Sequence, residues 1–284
     1  MKLIEVAYLL GLRPRPRRYG TVVDEHFLPD GERIEIAHWL HPRAYRAVPS
    51  AAILAQLRRF LRPGDVAIDI GAHAGDTALP MALTVGPGGA VIALEPNPYV
   101  HPVLAANAAL NPGRVRIIPY PFAAMREAGT YQFHYGEPGF CNGGFHEGLS
   151  RWRHRSAFTV EVEGRNLAEL MAREHPDLLA RLRFIKVDTE GFDLAVLETL
   201  DAVLAERRPI LQVEMFSLKH APGGYREQLY HFLVQRRYDL FRVDGDRDFF
   251  AEAVTPANLL RWQSCDVCCV PEESRATVSG LPAP

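Results

Sequence analysis

Lysine is nearly absent: Lys2, Lys186 and Lys219 are the only three among 32 lysines and arginines. Base composition accounts for such a skew, and it makes each surviving lysine informative about places where arginine does not serve. Long apolar runs are missing too. None approaches the ~18–20 residues of a helical membrane span. Charge of one sign is also lacking: the net charge is −2, which gives no global pull toward nucleic acid or an anionic membrane. Cysteine is scarce, with Cys141, Cys265, Cys268 and Cys269 making the full set. The last three have a spacing that invites zinc, but they sit in an apolar run ending at Pro271 and read as a buried strand using cysteine as a small hydrophobe. The apolar stretch around Val6–Leu10 is short and reads as a helix or extension, not a cleaved leader, so a reducing cytoplasmic setting is expected. Two nucleotide fingerprints are absent as well: neither G-x-G-x-x-G nor G-x-x-x-x-G-K-[ST] occurs.

What is present is an alternation. Short apolar strands at Val66–Ile70, Ala90–Leu94, Val115–Ile118, Phe184–Val187 and Ile210–Val213 are separated by helical stretches. Such a pattern predicts an α/β fold with a mostly parallel sheet covered by helices on both faces. Asn97 and Pro98 read as N-cap and first residue of one helix. Gly75–Val85, Leu167–Leu182 and Tyr225–Gln235 read as others, and one more runs through about Ala205. Tyr238–Val243 and Asp266–Val270 are expected to form a closing hairpin, giving an antiparallel edge strand. Residues 1–60 read as an extension, a hairpin followed by a helix near Ser50–Phe60. Residues 61–284 form the α/β domain, interrupted at about 120–183 by an insertion suited to substrate contacts.

The run Asp69-Ile-Gly-Ala-His-Ala-Gly75 passes from a strand through a glycine turn into a helix, a device that offers backbone N–H groups to a ligand. Asp69 just before the turn is poorly suited to a pyrophosphate and well suited to a ligand with an ammonium group, such as the methionine part of S-adenosylmethionine (SAM). Glu95 ends the second strand, where a carboxylate can hold ribose hydroxyls, and Pro96 keeps it extended.

The stretch from Ala67 to Phe216 resembles the FkbM-type SAM-dependent methyltransferases. The segments that carry the likeness are Ile68-Asp-Ile-Gly-Ala-His-Ala-Gly, Ala93-Leu-Glu-Pro-Asn-Pro, Asn107-Ala-Ala-Leu-Asn111, Phe184-Ile-Lys-Val-Asp-Thr-Glu-Gly191 and Gln212-Val-Glu214. The resemblance implies the class I, Rossmann-like methyltransferase fold with seven strands, and O-methylation of sugar or natural-product hydroxyls. It implies that Asp69, Gly71 and Gly75 line the methionine end of SAM and that Glu95 holds its ribose; their neighbours Ala72, His73, Pro96 and Asn97 complete the cofactor-binding candidates. His73 departs from the family, which usually has asparagine there, and Met215-Phe216 stands where many members carry a histidine.

Residues two apart on a strand share a face, so Lys186 and Asp188 are expected side by side, with Glu190 in the following turn. A carboxylate there can take the acceptor's proton and an ammonium can favour the alkoxide, which makes Asp188, Lys186 and Glu190 the catalytic candidates. Glu214, His134 and His146 are the candidates for substrate contact. Asp188, Glu190 and Glu214 are hard oxygen donors that would accept a divalent metal, yet no spacing demands one. The leading expectation is methyl transfer to a hydroxyl of a small or glycosylated substrate. RNA ribose methylation, a non-catalytic SAM-binding module and an NAD-dependent oxidoreductase are the alternatives. Near-neutral charge counts against nucleic acid, and the missing dinucleotide fingerprint counts against NAD.

Overall fold

The computed structural model describes residues 16–135, 141, 143–144, 158–216, 224–262 and 264–282. In chain order the elements begin with a hairpin of β1 (Thr21–Phe27) and β2 (Arg33–Trp39), then α1 (Ala51–Leu57), β3 (Val66–Ile70), α2 (Ala78–Val85), β4 (Ala90–Leu94), α3 (His101–Ala109) and β5 (Ile117–Tyr120). A small sheet follows, with β6 (Phe122–Ala124), β7 (Gly129–Tyr135), β8 (Gly143–Gly144) and β9 (Phe158–Arg165). The second half holds α4 (Leu167–Glu174), α5 (Pro176–Leu179), β10 (Leu182–Val187), α6 (Asp193–Thr199), α7 (Asp201–Arg207), β11 (Ile210–Phe216), α8 (Tyr225–Gln235), β12 (Tyr238–Asp244), β13 (Asp248–Ala253) and β14 (Ser264–Pro271).

The main sheet has the order β13-β12-β14-β11-β10-β3-β4-β5. The neighbours β11, β10, β3, β4 and β5 are parallel, while β14 runs antiparallel between β11 and β12. From β3 the chain builds outward through β4 and β5, then returns to the other side of β3 for β10 and β11. The reversal makes the C-terminal ends of β3 and β10 the switch point, where open α/β sheets bind ligands. Strands β3 and β4 are buried along their whole length, as strands covered on both faces must be. Their side chains alternate between two cores: Val66, Ile68 and Ile70 pack with α4 to α8, whereas Ala67 and Val91 pack with α1, α2 and α3.

The class I arrangement expected from the sequence is present, with corrections. Among the described residues the sheet has eight strands where seven were expected: β13 adds itself outside β12 as an antiparallel edge strand. The closing pair does form, since β12 and β14 are antiparallel neighbours, but β14 lies inside the sheet and not at its edge. Asn97 does not cap α3. Its side chain accepts from the Tyr99 N–H at 2.9 Å, closing a tight turn, and the helix starts only at His101. Helix α2 likewise starts at Ala78, three residues after Gly75, because the turn consumes the intervening residues. His175-Pro176 divides the expected Leu167–Leu182 helix into α4 and α5, and Leu182 already belongs to β10. Cys268 and Cys269 are fully buried in β14, free and apolar in setting, as the sequence suggested.

Asn107 and Asn111, one turn apart on and just after α3, explain how the N-terminal hairpin joins the core. The Asn107 side chain accepts from the Ala37 N–H at 2.8 Å and donates to the Ala37 and Ala74 carbonyls at 2.9 and 2.8 Å. Asn111 accepts from the Glu35 N–H and donates to the Glu35 carbonyl at 2.9 and 2.8 Å. Two carboxamides thus act as a substitute strand against the edge of β2. Asn107 is buried, and removing its side chain orphans three backbone groups. Asn107→Ala is therefore expected to cost about 2–4 kcal/mol of stability, measured by urea unfolding; a loss under about 0.5 kcal/mol would show that the docking is incidental.

Candidate functional site

A cavity of about 590 Å³ opens beyond the C-terminal ends of β3, β4 and β10, within the size range of small-molecule and cofactor sites. Its wall on one side is aromatic: Phe122, Phe133 and Tyr135 come from the small sheet and Phe192 from the turn before α6. The insertion between β5 and β10 thus supplies part of the lining. Tyr45, Val48 and Phe249 border it from the N-terminal extension and from β13.

The glycine turn is built by what it touches. Gly71 has φ +85°, and a Cβ there would lie 1.9 Å from the Asp188 carbonyl oxygen. The Asp188 N–H in turn donates to the Ile70 carbonyl at 3.0 Å. The missing side chain lets the tips of β3 and β10 meet, so the turn after β3 and the turn after β10 form one unit. The turn's N–H groups are mostly spent inside the protein. Gly71 and Ala72 both donate to the Leu94 carbonyl, His73 donates to Glu95 Oε2 at 2.8 Å, and Gly75 donates to the Ala72 carbonyl. An anion cradle of the kind inferred from the glycines is therefore not formed by these four groups.

Glu95 is buried at the tip of β4, and its Oε1 accepts from the Asn97 N–H at 2.8 Å. Burial pushes its carboxyl up to about 7, against the two backbone donors that favour the charged form. His73 sits at φ +48°. Its ring lies edge-on to Trp39 of β2 at 5.6 Å, and burial holds its pKa below the ordinary value.

Parallel register places Asp69 beside Lys186, and Lys186 beside Gln212, so a polar row crosses the sheet just below the cavity. Asp69 is fully buried. Its Oδ2 accepts from Thr77 Oγ1 at 2.6 Å, and its Oδ1 has no hydrogen-bond partner but lies 3.8 Å from Lys186 Nζ. Burial raises its carboxyl above the usual range, against the pull of Lys186 and Thr77. Lys186 donates to Asp188 Oδ2 at 2.9 Å. Burial works against its ammonium, but Asp188 and Asp69 outweigh that and hold its pKa above the ordinary lysine value. Lys186 thus remains a cation and has no base to offer. Beyond it, Gln212 donates to Asp266 Oδ2 at 3.1 Å.

The turn after β10 is held from below by Asp193, which accepts from the Thr189 N–H and hydroxyl at 2.8 and 3.0 Å, from the Gly191 N–H at 3.2 Å, and from the Tyr225 hydroxyl at 3.0 Å. Asp193 and Tyr225 were not singled out in the sequence; a buried aspartate opening a helix after a Gly-containing turn was the available signal. Glu190 stands at φ +55°, and its carboxyl is raised by burial and by Asp188 and Asp193.

Of the sequence candidates, Gly71, His73, Glu95, Pro96, Asn97, Lys186, Asp188 and Glu190 line the cavity. Asp69, Ala72 and Gly75 lie behind the turn: Asp69 faces Lys186, Ala72 is fully buried, and Gly75 packs against Leu104 and Asn107. Asp76 faces the cavity where Asp69 was expected to. Glu214 sits on β11 with Ser264 at 3.3 Å, outside the lining. His134 lies on β7 with its Nδ1 3.4 Å from Thr159 Oγ1 and is not brought to the cavity. His146 lies outside the described residues. Asp188, Glu190 and Glu214 do not bring one oxygen each within 4.8 Å of one another; among the described residues only Asp24, His26 and His38 cluster that closely.

The lining holds six carboxylates, Asp76, Glu95, Asp188, Glu190, Asp246 and Asp266, against Lys186 as the one lysine or arginine among the described residues. Nearby, burial and the charges of Asp188 and Glu190 push Glu214 up to about 8. Glu95 and Glu214 both titrate above an ordinary Glu at 4.5, so the folded chain binds more protons than the unfolded chain between about pH 4.5 and 8. Their contribution to stability is complete below pH 4.5 and is lost as pH rises through those values. Glu214→Gln keeps the shape without the charge. Its melting temperature is expected to match the parent near pH 4.5 and to exceed it above pH 8; an identical gap at both ends of a pH series would rule Glu214 out as a source of the dependence.

A profile of the methyltransferase FkbM domain matches residues 69–240. No curated protein matches the chain. Among solved structures, methyltransferase FkbM from Methylobacillus flagellatus is similar at 15% identity over 76% of this chain and 50% of that one, with a TM-score of 0.42. The chain thus spans half the length of that structure. Aeropyrum pernix fibrillarin, solved with natively bound S-adenosyl-L-methionine, is 13% identical over 88% of this chain and 99% of its own, with a TM-score of 0.41. Precorrin-6y C5,15-methyltransferase from Geobacter metallireducens is 14% identical over 80% and 90%, with a TM-score of 0.39.

Proposed function

The chain belongs to the FkbM-domain methyltransferase family, and we propose that it moves a methyl group from SAM to a hydroxyl oxygen of a sugar or secondary metabolite. The observation that carries this reading is the charge of the cavity at the switch point. Among the described residues, six carboxyl groups face one lysine, a balance that disfavours a pyrophosphate or an RNA backbone and favours a cationic ligand. SAM carries an ammonium and a sulfonium, and the spent N–H groups of the glycine turn leave little to hold a dinucleotide. Glu95 at the tip of β4 has the position to accept from ribose hydroxyls, and Asp76 takes over from Asp69 as the carboxylate facing an ammonium. The residues present fit the cofactor in charge, cavity size and strand-end placement.

When bound, SAM supplies an electrophilic methyl carbon on a positively charged sulfur. The chain's own contribution is to orient the acceptor hydroxyl and receive its proton. Asp188 is the base in this reading. It lines the cavity with its side chain 40% exposed, and Lys186 fixes its Oδ2 from beneath. Lys186, always charged, stabilises negative charge that develops on the acceptor oxygen. With SAM held there as the methyl donor, the Asp188 carboxylate would receive the proton that the acceptor hydroxyl gives up on methylation. Glu190, whose carboxyl is raised by burial and its acidic neighbours, lines the cavity beside Asp188 as a second carboxyl group facing the acceptor hydroxyl. The aromatic wall of Phe122, Phe133 and Phe192 suits the apolar face of a sugar ring or a polyketide-like skeleton.

The test is transfer from SAM carrying a ¹³C-labelled methyl group to a panel of glycosides and hydroxylated metabolites, with structured RNA in a parallel arm. The carbon shift of the label in the isolated product distinguishes O-, N- and C-methyl groups. A label on nitrogen or carbon, or one found only in RNA, would refute the acceptor assignment.

A further inference from the structure

On the hairpin, apart from the cavity, three side chains with metal-binding chemistry converge. Asp24 and His26 are two apart on β1 and share its inner face. The register pairs Val22 with His38 and Asp24 with Ile36, which puts His38 of β2 on the same face, diagonal to Asp24. His26 Nε2 and His38 Nε2 face each other at 3.0 Å, with the rings nearly perpendicular at 85°. One donor atom from each of the three residues lies within 4.8 Å of the others. None of the three lines the cavity, and the proposed reaction uses none of them.

The geometry points to a binding site for a zinc-class divalent transition metal at Asp24, His26 and His38, bridging the two strands of the hairpin. Two imidazoles and one carboxylate form a donor set for such ions, harder than a thiolate site and softer than an all-oxygen one. In a tetrahedral zinc site with Zn–N near 2.0–2.1 Å, two nitrogens stand about 3.3 Å apart. The observed separation is a few tenths of an ångström from that bite; the hydrogen bond now joining the rings gives way to the ion, the ring that carries its proton on Nε2 shifting it to Nδ1 as both rings turn toward the ion. Asp24 supplies the third ligand and water the fourth. Arg46, 3.7 Å from Asp24 Oδ2 and half exposed, is the cation beside the carboxylate among the described residues and swings into solvent when an ion replaces it. His38 is flanked by Ala37, which Asn107 anchors, and by Trp39, which packs on His73. An ion here fastens the strand that backs the glycine turn.

The test uses the whole chain without a polyhistidine tag, stripped with EDTA and dialysed. Calorimetry with Zn²⁺ is expected to show one saturable site, and Zn²⁺ is expected to raise the melting temperature. His26→Ala and Asp24→Asn are each expected to weaken binding at least about tenfold, since even the loss of an outer partner of a metal ligand costs that much, and to abolish the thermal shift. His26 is only half-buried, so its variant tests the site even where a His38 variant fails to fold. Absence of saturable Zn²⁺ binding in the parent, or the same affinity and thermal shift in the His26→Ala and Asp24→Asn variants, would overturn the assignment.

Discussion

Asp188→Asn is expected to lower turnover by about 10²–10⁴-fold, the range for losing a general base, while SAM affinity changes by less than about threefold. The asymmetry follows from the local structure. Asparagine keeps the size of the side chain and an oxygen for Lys186 Nζ, now 2.9 Å from Oδ2, but it accepts no proton. Lys186 also retains Asp69, whose Oδ1 lies 3.8 Å away without a hydrogen-bond partner, so the ammonium is not stranded. The turn itself persists, because Asp193 holds Thr189 and Gly191 independently of Asp188. Single-turnover methyl transfer on an identified acceptor, with SAM affinity measured separately, distinguishes the outcomes. Near-parental turnover would move the base to another group of the acidic rim. A parallel collapse of SAM affinity would show that Asp188 belongs to cofactor binding instead.

Gly71→Ala is expected to disrupt the fold around the site more than any other single methyl addition at the glycine turn. The cost has two parts. A left-handed φ of +85° penalises a residue with a Cβ by about 1–2 kcal/mol. The methyl group would also stand 1.9 Å from the Asp188 carbonyl oxygen, a backbone atom that cannot rotate aside, and overpacking of that kind costs about 1–3 kcal/mol or more. The sum is about 2–5 kcal/mol, with loss of SAM binding because the two strand tips are forced apart. Gly31 supplies the control: its φ is +84°, but nothing lies within 4 Å of its hypothetical Cβ. Gly31→Ala is expected to cost only about 1–2 kcal/mol. Equal urea-unfolding losses for the two variants would mean that the close approach to Asp188 carries no weight.

The order of strands and helices was legible because each parallel strand is a short apolar run bounded by turn residues. Lys186 and Asp188 were legible as neighbours because strand period is local, and they do form an ion pair. What escaped was set by distant partners. Asp69 was expected to face a ligand, yet the β3–β10 register turns it toward Lys186, and register between strands more than a hundred residues apart leaves no local signature. The glycines of the turn read as a ligand cradle, but Gly71 is small for the sake of Asp188 and Gly75 for the sake of α3. Asn107 and Asn111 carried the resemblance without a reason; the edge of β2 supplies it. Strand β13 was missed because Asp248-Phe-Phe-Ala-Glu-Ala shows no strict alternation, and its pairing with β12 is what makes it a strand.

The central claim, that the acidic cavity at the β3–β10 switch point is a SAM site, is tested most directly by calorimetry of the purified chain with SAM and, separately, with NAD. Saturable binding of SAM at one site per chain is expected, with none of NAD. A folded Glu95→Ala variant is expected to bind SAM about ten- to a hundredfold more weakly, the equivalent of about 1.5–3 kcal/mol for a lost hydrogen bond to a charged group. Saturable binding of NAD with no binding of SAM would contradict it.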